Sequence, residues 1–365
     1  MPKARTSPDM WILISTLLIL AIGVIMVYSA SAVLALHDFG DSFYYLKRQL
    51  IFAVLGIIAM FLTMNMDYRV WRKLANIGLI VGFSLLVLVL IPGVGVVRGG
   101  ARSWLGIASL GIQPSELMKL TMILFMAKSL SEQDSRITSF RSGLLPMLLL
   151  LGAAFGLIML QPDLGTGAVL LGATMMVIYT AGARISHLVW LGVAGLVGIA
   201  GLIAAAPYRL QRITAFLNPW EDPLGAGYQA IQSLYAIGPG GLVGLGLGMS
   251  RQKYNYLPEP QTDFIFSILA EELGFIGGAA ILLLFLLLVW RGMRTAITAP
   301  DTYGSLLAVG IVGIIAVQVL INISVVTGMM PVTGITLPLV SAGGSSLTLM
   351  LTAIGILLNI SRYSK

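Results

Sequence analysis

The chain has 365 residues, 58% of them hydrophobic and 10% charged, with a net charge of +7 and a mean hydropathy of +0.94. Soluble domains carry roughly 25% charged residues, so a cytosolic enzyme and a disordered chain are both excluded. An all-α polytopic membrane protein remains. Zero cysteines exclude disulfides and thiolate metal sites, and two histidines, His37 and His187, disfavour a histidine-centred site.

Apolar runs of about 20 residues predict about ten transmembrane helices. The first, roughly 10–35, follows Lys3 and Arg5 and ends near Ser29-Ala-Ser-Ala32, which resembles a signal-peptide cleavage site. Its apolar run is about twice a normal h-region, so a retained helix is expected. Six more follow at roughly 49–65, 76–93, 115–131, 143–160, 164–182 and 187–206. The last three lie at roughly 263–290, 304–326 and 344–361. Between spans seven and eight sits 207–262, expected to be a long extracytoplasmic loop with interfacial or re-entrant structure rather than a second domain. A second irregular stretch, 327–343, holds Pro331, Gly334, Pro338 and Gly343. At membrane depth it is tolerable only when buried in protein or lining a cavity. The whole of 1–365 thus reads as one transmembrane domain.

An even number of spans puts both termini on one side. If that side is cytoplasmic, the inner segments and span ends hold Lys3, Arg5, Arg69, Arg72, Lys73, Lys128, Arg136, Arg141, Arg184, Arg291, Arg294, Arg362 and Lys365. The short outer loops then hold only Lys47, Arg48, Arg98 and Arg102. Thirteen against four decides for cytoplasmic termini by the positive-inside rule. The positive charge is therefore a topology signal, and no nucleic-acid partner is expected.

Acids within apolar segments point to chemistry. Spans four, six and eight all run inward, and their starts read Gln113-Pro-Ser-Glu116, Gln161-Pro-Asp163 and Gln261-Thr-Asp263. Each places a carboxylate near a helix N-terminus, where the dipole alone would favour it as a cap. Three at one end of the bundle, beside the long loop, instead predict a polar cavity open to the outside. Lys119 follows Glu116 by three residues, on the same helix face, either as a structural ion pair or as an ammonium for a phosphate. Glu271 and Glu272 read as polar packing groups bonded to neighbouring helices. The glycine-rich run Gly240 to Gly248 lacks the Gly-Lys-Ser/Thr of a P-loop and follows no strand.

These polar islands carry a resemblance. Arg102-Ser-Trp-Leu-Gly106, Gln113-Pro-Ser-Glu-Leu-Met-Lys119, Gln161-Pro-Asp-Leu-Gly-Thr166 and Asn218-Pro-Trp-Glu-Asp-Pro223 resemble the SEDS family of bacterial cell-wall synthases (FtsW, RodA and SpoVE). So do Leu257-Pro-Glu-Pro-Gln-Thr-Asp-Phe-Ile-Phe266, Glu271-Glu-Leu-Gly274 and Pro331-Val-Thr-Gly-Ile-Thr-Leu-Pro338. The set runs in order through essentially the whole chain. The wording from Ile213 to Gly248 and the ending Asn359-Ile-Ser-Arg-Tyr363 are most similar to the family's sporulation branch. Two departures stand out. Gln261 occupies the position where many FtsW proteins have histidine, and Ala342 replaces the family's usual tyrosine.

The resemblance implies a bacterial cell-membrane protein, in the forespore or septal membrane if the sporulation likeness holds. It implies a peptidoglycan glycosyltransferase that polymerises lipid II and works with a class B penicillin-binding protein as transpeptidase. The family's essential aspartate falls on Asp263, and its sensitive tryptophan on Trp104. Its polar cavity residues fall on Glu116, Lys119 and Asp163. Inverting displacement needs one base for the acceptor hydroxyl and stabilisation of the departing undecaprenyl pyrophosphate, but no second carboxylic acid. Asp263 is expected to be that base. Substrate contacts are expected from Arg102, Trp104, Glu116, Lys119, Asp163, Thr166, Arg209, Arg212, Glu259 and Thr262. A divalent cation (Mg or Mn) could share the pyrophosphate charge, with no spacing that selects its ligands. Two alternatives from other classes are a lipid II flippase and a non-catalytic scaffold for the transpeptidase.

Overall fold

A computed structural model describes residues 7–98, 101–106, 111–204, 214–254 and 256–364. All ten predicted segments are helices in it: α1 (Met10–Phe39), α2 (Tyr44–Asn65), α3 (Arg69–Leu90), α4 (Pro114–Glu132), α5 (Leu145–Met159), α6 (Leu164–Thr180), α7 (Ile185–Ala204), then α9 (Ile265–Ile297), α10 (Thr302–Val326) and α11 (Gly344–Ser361). The short helix α8 (Tyr228–Ile237) lies within the long loop.

Among the described residues, seven segments are long and apolar enough by themselves to cross a membrane, α5 together with the turn Phe140–Leu144 ahead of it. α4 carries Glu116, Lys119, Lys128 and Glu132, and α6 has 17 residues. α7 runs for 20 residues, Ile185–Ala204.

Capping explains several boundaries. The Asp9 carboxylate accepts the N–H groups of Trp11 and Ile12 at 3.0 and 3.3 Å, closing the start of α1. Gly40, at φ +69°, ends it by donating to Leu36 O at 3.0 Å. Pro114 opens α4, where a missing N–H costs nothing. Asp163 caps α6 by accepting Thr166 N–H at 3.0 Å.

One short non-helical element accompanies the helices. Val96–Arg98 (β1) and Ala101–Trp104 (β2) pair as an antiparallel hairpin between α3 and α4. In the sequence, Gly-Gly between Val96-Val97-Arg98 and Ala101-Arg102-Ser103-Trp104 is a pair of residues suited to a two-residue hairpin loop.

α10 is the hub, packing against α4, α6, α8, α9 and α11. Its apolar window is 72% buried, against 28% for α2, α3 and α9, which leave Leu283, Leu286 and Ile80 about two-thirds exposed. So much outward apolar surface suits a lipid environment. Polar contacts sort into two ends. At one end, Asp9 N–H donates to Ser361 Oγ at 2.9 Å and its carboxylate pairs with Arg291 at 2.6 Å. Arg72 pairs with Glu132 (3.0 Å) and Arg69 with Asp301 (3.2 Å) at the same end. Start of α1, end of α9 and end of α11 therefore meet, and both chain ends share one side of the bundle. The acids of interest sit at the other.

Candidate functional site

α4 delivers two buried charges. Glu116 Oε1 and Lys119 Nζ form an ion pair of 2.8 Å with side chains 8% and 3% exposed. Both groups are fully engaged. Lys119 also donates to Gln318 Oε1 at 3.0 Å, and Glu116 Oε2 accepts Ser346 Oγ at 2.8 Å. A buried ammonium is retained at such a place only with partners of this kind.

Asp163 is joined to the same helix. Its Oδ2 accepts Gln113 Nε2 at 3.1 Å and Ser115 Oγ at 3.4 Å, while Oδ1 takes the cap bond from Thr166. Thr166 thus enters through its backbone. Gln113 N–H donates in turn to Ser345 Oγ at 3.3 Å, so α4, α6 and α11 start at one point.

Asp263 completes the group from a different direction. α9 begins at Ile265, two residues later than predicted, which leaves Asp263 in the turn ahead of it. Its backbone is held from two sides. Asn322 Nδ2 of α10 donates to Asp263 O at 2.7 Å, and Ser341 Oγ donates to Thr262 O at 2.5 Å. Asn322 lies one helical turn beyond Gln318, the partner of Lys119, so α10 links Asp263 to the Glu116–Lys119 pair. Gln318 Nε2 also donates to Thr336 O at 3.0 Å, and Asn322 Nδ2 to Ile335 O at 2.7 Å. The irregular stretch is therefore buried in protein over 335–341, whereas 327–330 and Gly334 are exposed.

The side chain of Asp263 is less committed. Oδ1 accepts the Thr262 hydroxyl at 3.0 Å, and no other described residue donates to the carboxylate besides its own backbone N–H. Burial pushes its carboxyl up to about 6 despite that hydroxyl bond, and the Glu259 charge adds a smaller push. Glu259 is exposed and sits at φ +50°, an uncommon conformation for a side-chain-bearing residue. Its Oε2 accepts Gln261 Nε2 at 3.2 Å, and its carbonyl accepts the Thr262 hydroxyl at 2.9 Å. Glu259, Thr262 and Asp263 form one tight turn.

The other expected contacts are placed less directly. Ser103 of β2 donates to Gln161 O at 3.4 Å, anchoring the hairpin beside the start of α6. Strand alternation sends Arg102 and Trp104 to the face opposite Ser103. They flank the hydrogen-bonded network. Arg209 and Arg212 lie outside the described residues. Among the described residues, no three His, Asp or Glu side chains gather as a metal cage.

The network also contains residues that reading the sequence for acids misses: Gln49, Gln318, Asn322, Ser341, Ser345 and Ser346. Gln49 Nε2 donates to Ser341 O at 3.2 Å. A usable signal existed for two of them. Gln318 and Asn322 are amides four apart in an otherwise apolar helix, hence on one face.

The family model described as "Cell cycle protein", covering FtsW, RodA and SpoVE, matches residues 9–365. The chain belongs to this family. Stage V sporulation protein E of Bacillus subtilis (strain 168) is 63% identical over 365 residues, which is 100% of both chains. A probable peptidoglycan glycosyltransferase FtsW of Geobacter sp. (strain M18) is 44% identical over 97% of this chain and 96% of its own. A chain from a solved peptidoglycan synthase complex, described as coordinating polymerization and crosslinking, is 34% identical with a TM-score of 0.79, covering 97% of this chain and 98% of its own. Rod shape determining protein RodA of Thermus thermophilus is 31% identical, with a TM-score of 0.71 and 98% of each chain covered. Like these FtsW, RodA and SpoVE relatives, the chain is a multi-pass membrane protein.

Proposed function

We propose that this chain is a peptidoglycan glycosyltransferase that polymerises lipid II, with Asp263 as the base for the acceptor hydroxyl. One observation carries the reading. Of the three acids at separate helix starts, Glu116 and Asp163 have both oxygens bonded to other elements, whereas Asp263 is bonded only within its own turn and leaves Oδ2 free of other described residues. Its raised carboxyl suits proton abstraction near neutral pH, where it is mostly ionised yet still basic.

In this account the acceptor 4-hydroxyl of lipid II approaches Oδ2, and its proton passes to Asp263 as oxygen attacks the anomeric carbon. Undecaprenyl pyrophosphate leaves from the opposite face, so the α-linked donor becomes a β-1,4 link. No acid is needed on a leaving group already as good as a diphosphate. The donor's negative charge is met by loop cations such as Arg102, whose hairpin is anchored beside the start of α6 through Ser103. Lys119 sits one layer deeper and holds Glu116 in place. A divalent cation (Mg or Mn) would arrive with the diphosphate, because one or two carboxylates plus phosphate oxygens commonly suffice for Mg. Glu259, exposed in the same turn, is the carboxylate available for it, and charge neutralisation is what it would supply.

The relatives support a cell-wall role, and the identity to a stage V sporulation protein supports sporulation as the setting, with a forespore or septal membrane location. The solved synthase complex supports a transpeptidase partner, a class B penicillin-binding protein. Incubating purified full-length chain with lipid II in detergent tests the reading. Glycan polymer is expected, and its absence under conditions where the protein remains folded contradicts it. A flippase makes no polymer where there is no two-sided membrane.

A further inference from the structure

Helix α9 is interrupted by its own preceding loop. Gly274 has φ +66° and ψ −166°, a conformation open to glycine and strained for other residues. In an unbroken helix the N–H groups of Phe275 and Ile276 would donate to Glu271 O and Glu272 O. Here they donate to Gly241 O (2.8 Å) and Leu242 O (3.1 Å). The two vacated carbonyls accept Leu245 N–H and Gly246 N–H, each at 3.0 Å. A strap of the 207–262 loop thus replaces part of the helix ladder bond for bond, which keeps these backbone groups satisfied at depth. Only glycine fits the approach. A Cβ on Gly244 would stand 2.2 Å from Glu272 O, and one on Gly274 2.3 Å from Gly244 N.

The strap is then fastened by the paired acids. Glu271 accepts Ser250 Oγ (2.5 Å), Arg251 N–H (2.8 Å) and Gln252 N–H (3.4 Å). Glu272 accepts Ser250 N–H (3.2 Å), Lys253 Nζ (3.3 Å) and Ser29 Oγ of α1 at 2.6 Å. Lys253 Nζ also donates to Gly248 O at 2.5 Å. All four polar residues Glu271, Glu272, Ser250 and Lys253 are buried.

The break leaves Ile265–Leu273 as a short rod. One end carries the Asp263 turn, and the other abuts the strap. Nine residues of helix span about 13 Å, so a tilt of about 5° at Gly274 moves the far tip by about 1 Å. Misplacement by about 1 Å can cost about 10²-fold in rate. We propose that the strap and the Glu271–Glu272–Lys253 cluster are a positioning device, which fixes the tilt of this rod and so the place of Asp263. The inference rests on Asp263 being the base of the proposed reaction.

Hydrogen exchange by mass spectrometry, on the full-length chain in detergent, tests it beside lipid II kinetics. In the wild type, the strap peptide with Leu245 and Gly246 and the α9 peptide with Phe275 and Ile276 should open as one unit with the Thr262–Phe264 turn. Gly244→Ala and Glu271→Gln should each raise exchange about tenfold in the strap and in that turn alike. They should lower kcat about tenfold with KM within about twofold.

If the strap opens while the turn keeps its wild-type exchange, the lever does not exist and the proposal is overturned. Unchanged kcat in both variants overturns it as well. A wild type that opens as one unit but makes no polymer overturns the glycosyltransferase reading and leaves the lever standing. Should Gly244→Ala fail to fold, Glu271→Gln, which keeps shape and size, and the wild-type exchange pattern decide the matter.

Discussion

At the scale of single residues, Asp263 carries both the activity and a cost. Its carboxyl is held up to about 6, so the protein binds that proton more readily folded than unfolded. Ionised Asp263 therefore penalises folding fully above about pH 6, and the penalty fades as pH falls toward the ordinary 3.8. Asp263→Asn should raise stability at pH 7.5 by about 1–3 kcal/mol, seen as a higher thermal midpoint. That gain should disappear near pH 4, and a midpoint unchanged at pH 7.5 contradicts the burial assigned to this group. For the wild-type enzyme, kcat/KM should fall about tenfold per pH unit below about 6 and stay level above it. Lys119 predicts the opposite behaviour. Lys119→Met strands Glu116 in a buried site and should destabilise by about 3–5 kcal/mol, while the added Glu116→Gln change should recover a good part of that. These roles were readable in part. Acids in first helical turns announce themselves in an apolar chain, whereas the choice among them turns on which oxygen stays free. That depends on Ser346, Gln113 and Ser115, ordinary residues until the helices meet.

At the scale of elements, boundaries followed the sequence because apolar length and capping set them. Asp9, Gly40, Pro114 and Asp163 stand where helix chemistry needs them. The break in α9 was not readable. Gly274 lies in an apolar stretch like many membrane glycines, and its partner strap is some 30 residues earlier in a run that shows only high glycine content. Exchange of ladder bonds is a pairing property, and periodicity within one segment cannot express it. The amides of α10 fall between these cases. Asn322→Leu leaves Asp263 O and Ile335 O without their donor and should cost about 1–3 kcal/mol, with kcat falling more than KM rises. Equal activity in that variant would mean that α10 has no part in holding the base.

For the whole molecule, the charge count and the structure agree on one arrangement. Arg69, Arg72, Arg291 and Arg362 lie at the end where both termini meet, and the acid network lies at the other. Because the native chain has no cysteine, single substitutions can report sidedness cleanly. Lys47→Cys and Leu224→Cys should react with an impermeant maleimide on intact cells, and Lys73→Cys and Arg136→Cys only after permeabilisation. The reverse pattern would invert the topology and move the acid network to the wrong side for an extracytoplasmic reaction. Composition could indicate lipid surroundings and orientation, but it could not place a hairpin at Val96–Trp104 or thread the long loop through α9. Both depend on contacts made after the helices assemble.

The central claim is that Asp263 is the proton acceptor in lipid II polymerisation. Wild-type and Asp263→Asn proteins, purified in the same detergent and matched by thermal unfolding, should be given lipid II side by side. Polymer is expected from the wild type, and a rate lower by about 10²–10⁴-fold from the folded variant. Polymer formed by Asp263→Asn at the wild-type rate would contradict it.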